Sequence, residues 1–188
     1  MKAGNQTRAR SPSPPIPLSP IDLSTDQFAQ VWSLFDSALP PIATAEEPIK
    51  AWFAQVLHHF APHADRLAEL STTAAFLFGF DVEAARAKPE NAALLAADSA
   101  RIVLTELGNR ARVHVGPVTK EVFNTWIEEI RKVTGARGNV LLAPVTIAIT
   151  GSRTVPGISN LVQLIEDGAS LSLPLPNVRE RIERFVGV

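Results

Sequence analysis

Three histidines, His58, His59 and His63, stand close enough for two imidazoles at i and i+4 to share one helix face, a spacing that suits a divalent metal. Pro62 falls between them, and Asp65 is the only near carboxylate. The group therefore reads as histidines near a helix end, and no metal ligand is assigned. Serine, histidine and aspartate all occur, but no strand-to-helix nucleophile elbow accompanies them, so no side chain receives a catalytic role. The chain has no cysteine, which excludes disulfide scaffolds, thiolate metal sites and thiol nucleophiles. No Gly-rich phosphate loop precedes a helix, and no cofactor is expected. What remains is basic: Arg131, Lys132, Arg137 and Arg153 lie in or beside expected loops, and Arg137 and Arg153 have no adjacent acid to neutralise them. Such arginines suit phosphate. Arg179, Arg181 and Arg184 alternate with Glu180 and Glu183 and read instead as a solvated, ion-paired face.

The elements that position these groups are helical. The 188 residues are 46% hydrophobic, enough for one or two cores. The net charge of -1 gives no chain-wide attraction to nucleic acid or to an acidic membrane. It is unevenly spread: residues 1–100 hold 7 basic and 11 acidic side chains, and residues 101–188 hold 11 and 8, so the basic surplus lies in the second half. No apolar run reaches the roughly 20 residues that span a bilayer, and the N-terminus lacks an apolar signal core. A cytoplasmic protein with no membrane partner is expected. Residues 1–22 begin with a Pro/Ser-rich, basic stretch containing RARSPSPPIPLSP, which reads as a disordered leader without assigned function.

Beyond it, Ser24 and Gln27 have capping-box spacing ahead of Phe28, Val31, Trp32 and Phe35. Thr44 and Glu47 repeat that spacing before Ile49, Trp52, Phe53, Val56, Leu57 and Phe60. Pro62 opens a third helix ending near Gly79, and Asp81 caps a short one to Lys88. Pro89–Gly108 reads as one long helix with Leu94, Leu95, Ile102, Val103 and Leu107 inward. Asn109–Pro117 breaks the pattern and suggests a boundary between an N-terminal helical subdomain, 23–112, and a C-terminal one, 113–188. Val122, Phe123, Trp126, Ile127, Ile130 and Val133 then mark a helix closed by Gly135. The β-branched run Val145–Thr150 would be a strand by propensity, but no comparable run exists to pair with it. A helix started by Pro144 and stopped at Gly151 is physically easier. Pro156–Asp167 and Asn177–Val186 complete an all-α chain.

Read in order, the stretch from about Pro62 to Phe185 resembles the C-terminal anticodon-binding region of bacterial glutamyl-tRNA synthetases. The family pattern, close to G-x-K/R-G-x-x-L-x-x-P-L-R-x-A-L-T-G followed by P-G-L, is met by Gly135, Arg137, Gly138, Leu141, Pro144, Ala148, Thr150, Gly151, Pro156, Gly157 and Ile158. RLAELSTTAAFLFGFD and KPENAALL are similar to the upstream helices of the same region. The likeness covers about two-thirds of the chain.

The resemblance implies a two-part helical cage whose loops receive the unstacked anticodon bases of a tRNA. On this reading Arg131, Lys132, Arg137 and Arg153 hold phosphates, and Thr150, Gly151, Val155 and Pro156 form the loop against which a base rests. Thr146 stands where the family commonly has a base-reading Arg, which removes a contact worth roughly 1–3 kcal/mol of discrimination. EDGASLSLPLPN between Ile165 and Val178 is also longer than the family's turn. The family's nucleotide-binding catalytic fold is absent from this sequence, so the expected function is a non-catalytic tRNA-binding module. It would position an anticodon arm in trans or beside a catalytic, synthetase-like partner. The alternatives are a protein-interaction module that keeps the fold without reading RNA, and a piece of a complete ligase. Met1 and the leader favour a free-standing chain.

Overall fold

The computed structural model describes residues 24–64 and 67–187, so the leader assigned to residues 1–22 and Asp65 lie outside the described residues. Ten α-helices and no strand occur among them. In α1 (Thr25–Ser33) the Ser24–Gln27 capping box is formed on both sides. It aims Phe28 and Trp32 at Phe53 of α2 (Glu47–Phe60), with ring centroids 5.8 and 5.2 Å away in edge-on packing. The expected Thr44 cap does not form. Glu46 takes the cap position, and the Thr44 hydroxyl donates to the Pro41 carbonyl at 3.1 Å, since Pro48 near the helix start already sets the entry angle. The Trp52 indole N–H reaches across to the Leu164 carbonyl at 2.7 Å.

A single 3-10 turn, Ala61–His63, leads to α3 (Leu67–Ala74), and a second, Ala75–Leu77, leaves it, so the helix expected from Pro62 to Gly79 is broken twice. Asp81 caps α4 (Val82–Ala87) by accepting from the Ala84 N–H at 2.9 Å. The long helix expected from Pro89 to Gly108 is two: α5 (Pro89–Leu95) and α6 (Asp98–Val113). Ala97, extended at ψ 138, makes the break. Alanine gives no sequence signal of it. At its far end α6 runs past Asn109, because Arg110 pairs with Glu106 at 2.7 Å and with Glu129 at 3.1 Å while Ala111 is buried. The boundary expected at 112/113 thus falls at the end of a helix that packs on α7 (Lys120–Thr134), α8 (Asn139–Thr150) and α10 (Val178–Val186). The buried residues form one hydrophobic cluster from Val31 to Phe185. Ile102 and Val133, expected inward, face solvent at 52% and 66% exposure.

The run Val145–Thr150 is helical, as its lack of a partner strand requires, and every residue of it is buried. An α-helix apolar on all sides belongs at the centre of a bundle, where packing overrides β propensity. Pro144 lies inside α8 rather than at its start. It leaves the Val140 carbonyl without a helical donor, and Val140 is half exposed, so water can supply one. In α9 (Ile158–Ser170) a Cβ on Gly168 would stand 2.5 Å from the Trp52 ring, which explains a glycine within a helix.

Arg181 departs furthest from expectation. It is fully buried, not solvated. Its guanidinium donates to the carbonyls of Pro176 at 2.9 Å, Phe76 at 3.1 Å and Ile149 at 3.1 Å, and to that of Leu77. It lies 5.0 Å from the Phe80 ring centroid and 5.9 Å from that of Phe76. Burial pulls its pKa down to about 9, which still leaves it charged at neutral pH. The reason is positional: residue 181 shares the stripe of Val178, Ile182 and Phe185, all buried, whereas the Arg179–Glu183 pair lies outside that stripe.

Candidate nucleic-acid interface

Two short sequence patterns meet at the C-terminal end of α8. Gly151 ends that helix in the left-handed conformation at φ 72, which turns its carbonyl away from the helix and costs a glycine little. That carbonyl accepts from Lys88 Nζ at 2.9 Å and from Asn91 Nδ2 at 3.1 Å. Both donors come from KPEN, where Pro89 at the first position of α5 holds Lys88 extended and starts the turn that carries Asn91. Asn91 is fully buried, and its amide also donates to the Ala85 carbonyl at 2.6 Å. A lysine at a helix C-terminus further opposes the negative end of the helix dipole. The loop that follows is held from the other side, where His59 Nε2 lies 3.0 Å from the Pro156 carbonyl. A carbonyl only accepts, so Nε2 carries the proton. Burial, with His63 and His58 nearby, holds the His59 pKa below 6.5.

These ties frame a cleft of about 520 Å³. One wall is Thr150, Gly151, Val155 and Pro156, the residues expected to face a base. The opposite wall comes from the first half of the chain and includes Phe76, Phe80, Asp81 and Lys88. Sequence reasoning assigned none of these four to the site, because about 60 residues or more separate them from Gly151. The signal available was KPEN itself. Phe76 and Phe80 are partly exposed and rest on the buried Arg181 charge, so the cleft has aromatic faces, a cation beneath them and one carboxylate at its edge. Such a lining suits a flat, hydrogen-bonding ring.

The other expected contacts are placed differently. Thr146 is 4% exposed, and its hydroxyl donates to the Leu142 carbonyl at 2.7 Å. The Thr150 hydroxyl likewise donates to Thr146 at 2.8 Å and accepts from the Ser152 N–H at 3.2 Å, fixing the turn. Arg153 is exposed, two residues beyond Gly151. Arg131, Lys132 and Arg137 sit at the opposite end of α8, at the corner where α7 closes on Gly135. Twelve residues of helix, at about 1.5 Å each, put this corner roughly 18 Å from the cleft. All three cations are exposed there, and among the described residues only Arg131 of the three has an ion-pair partner, Glu128. Exposed Val133 and Val140 lie beside them. No group of three or more His, Cys, Asp or Glu side chains among the described residues is arranged to hold a metal, and no helix among them is long and apolar enough to cross a membrane.

Comparison with known proteins fits this geometry. Residues 28–172 match the family described as the anticodon binding domain. Curated relatives are similar over shorter stretches. The glutamate–tRNA ligase 1 of Rickettsia felis is 35% identical over 51 residues, 27% of this chain and 11% of the ligase. That of Rickettsia akari is 36% identical over 50 residues, again 27% and 11%. That of Rickettsia typhi is 33% identical over 52 residues, 28% and 12%. The chain thus spans only about a ninth of the ligases it matches. No solved structure matches it. With 145 of 188 residues inside the family's pattern, the chain belongs to the anticodon-binding domain family.

Proposed function

We propose that the chain is a non-catalytic tRNA-binding module that receives an unstacked anticodon base in the cleft beside Gly151, acting in trans or with a catalytic, synthetase-like partner. The observation that carries this reading is the meeting of KPEN with the Gly151 turn inside the family match, which builds a ring-sized cleft from both halves of the chain. Phe80 or Phe76 supplies the stacking face, and the Thr150–Pro156 wall closes on the base edge. Asp81 already caps α4 with one oxygen and has a second to offer, so it accepts from an exocyclic amine and favours a base that carries one over uracil. Arg153 neutralises phosphate beside the cleft. Arg131, Lys132 and Arg137 take backbone phosphates at the far corner, where an 18 Å separation suits a folded-back loop rather than one nucleotide. Thr146 and Thr150 serve by holding the last turns of α8.

The test is filter binding of total tRNA from the source cell at two salt concentrations, followed by sequencing of what is retained. The reading expects one or a few tRNA species, sharing an amine-bearing anticodon base, with affinity falling steeply as salt rises. Retention of no tRNA at low salt, or of all species alike, would overturn it.

A further inference from the structure

A second groove of about 520 Å³ shares no residue with the cleft. One face of α6 forms its length: Arg101, Leu104, Thr105, Gly108 and Arg112 fall at i, i+3, i+4, i+7 and i+11. Eleven residues at about 1.5 Å give a trough of roughly 17 Å, three helical turns. Leu95 of α5 lines one side and Val186 of α10 the other. Gly108 lets α10 pack close on α6, since a Cβ there would stand 2.9 Å from the Val186 side chain.

The lining is aliphatic apart from Thr105 and Asn109, and the rim is cationic. Arg86 is fixed by donating to the Phe185 carbonyl and lying 4.9 Å from the Phe185 ring centroid. Arg101 pairs with Asp98 at 2.7 Å, but both side chains are at least three-quarters exposed, so the pair exchanges readily for another carboxylate. Arg112 is exposed and has no ion pair among the described residues.

We infer that this groove docks an acidic amphipathic helix of a protein partner, about three turns long. Its apolar residues at i, i+3 or i+4, and i+7 lie on Leu95, Leu104 and Val186, and its flanking Asp or Glu side chains meet Arg86, Arg101 and Arg112. Charge and chemistry choose this occupant. Residues 1–20 of the chain carry three basic side chains and no acid, so the arginine rim repels them. A nucleic acid would satisfy the arginines but finds an aliphatic floor, for the groove's one aromatic ring, Phe185, is buried.

The test selects 14-residue segments from a randomised display library on the immobilised full chain, with an Arg101→Glu, Arg112→Glu double variant in parallel. Both residues are exposed on the rim, and matched denaturation midpoints verify the fold. The expected winners combine the apolar spacing with an excess of Asp and Glu, and their synthetic peptides bind the double variant at least ten-fold more weakly. Three results each overturn the proposal. Winners without acidic bias, or none at all, remove the partner helix. A loss of tRNA affinity in the double variant without peptide selection makes the groove an RNA contact. Self-association that the double variant abolishes makes the occupant a second copy. Neither the peptide result nor the tRNA result at the cleft depends on the other.

Discussion

At each end of α8 a left-handed glycine stops a helix, α7 at the near corner and α8 itself at the cleft, yet the two ends have opposite designs. Gly135, closing α7 at the near corner, and Gly151, closing α8, have φ of 71 and 72. Around Gly135 a Cβ would meet nothing within 4 Å, whereas at Gly151 it would stand 3.2 Å from the Ala85 side chain. The corner offers exposed charge on a helix end, and the cleft offers shape, fixed by hydrogen bonds from two other segments, KPEN and the end of α2. Charge without geometry holds a backbone at any sequence, and geometry with aromatic faces discriminates among bases. On the proposed function, one helix keeps the two tasks apart.

The most disruptive way to break this contrast is Arg181→Met, which removes the donors for four carbonyls, three of them in the segments that border the cleft (Phe76, Leu77 and Ile149), and none at the corner. A loss of about 3 kcal/mol in urea unfolding is expected. Hydrogen exchange should quicken first near residues 76–80 and 149–151, ahead of 131–140. The paired substitutions Gly151→Ala and Gly135→Ala isolate packing from backbone strain. The second costs about 1 kcal/mol for the left-handed conformation alone, and the first about 2 kcal/mol because Ala85 must also yield. Equal losses would mean that the cleft end is as loose as the corner.

The smallest effect concerns His59. Its folded pKa lies below 6.5, so the stability it contributes is full above 6.5 and is lost as pH falls below that value, when the unfolded chain takes up the proton first. Denaturation midpoints from pH 7 to 5 should fall further for the parent than for His59→Gln, which keeps an N–H for Pro156.

Much of this organisation is legible in the residues. The Ser24 capping box, the Asp81 cap and the two glycine stops all announce themselves locally, and the helical state of Val145–Thr150 follows from having no strand to pair with. The split between α5 and α6 does not, for it lies in an alanine-rich stretch where Ala97 turns extended without a glycine or proline to mark it. One wall of the cleft was readable through the family resemblance. The other was hidden by sequence separation, since nothing local joins Phe80 to Gly151. Arg181 shows the opposite failure: its helical stripe was visible, but alternation with glutamates suggested solvent, and only tertiary acceptors explain a buried guanidinium.

The division of labour is tested most directly by the salt dependence of tRNA affinity for Phe80→Ala beside Arg137→Ala. Loss of a stacking face should weaken binding about ten-fold at every salt concentration and leave the slope of log affinity against log salt unchanged. Loss of a phosphate contact should weaken binding only a few-fold at moderate salt and lower that slope by about one. If Phe80→Ala binds as the parent does, or if the two variants shift slope and intercept alike, the cleft does not hold the base and the account fails.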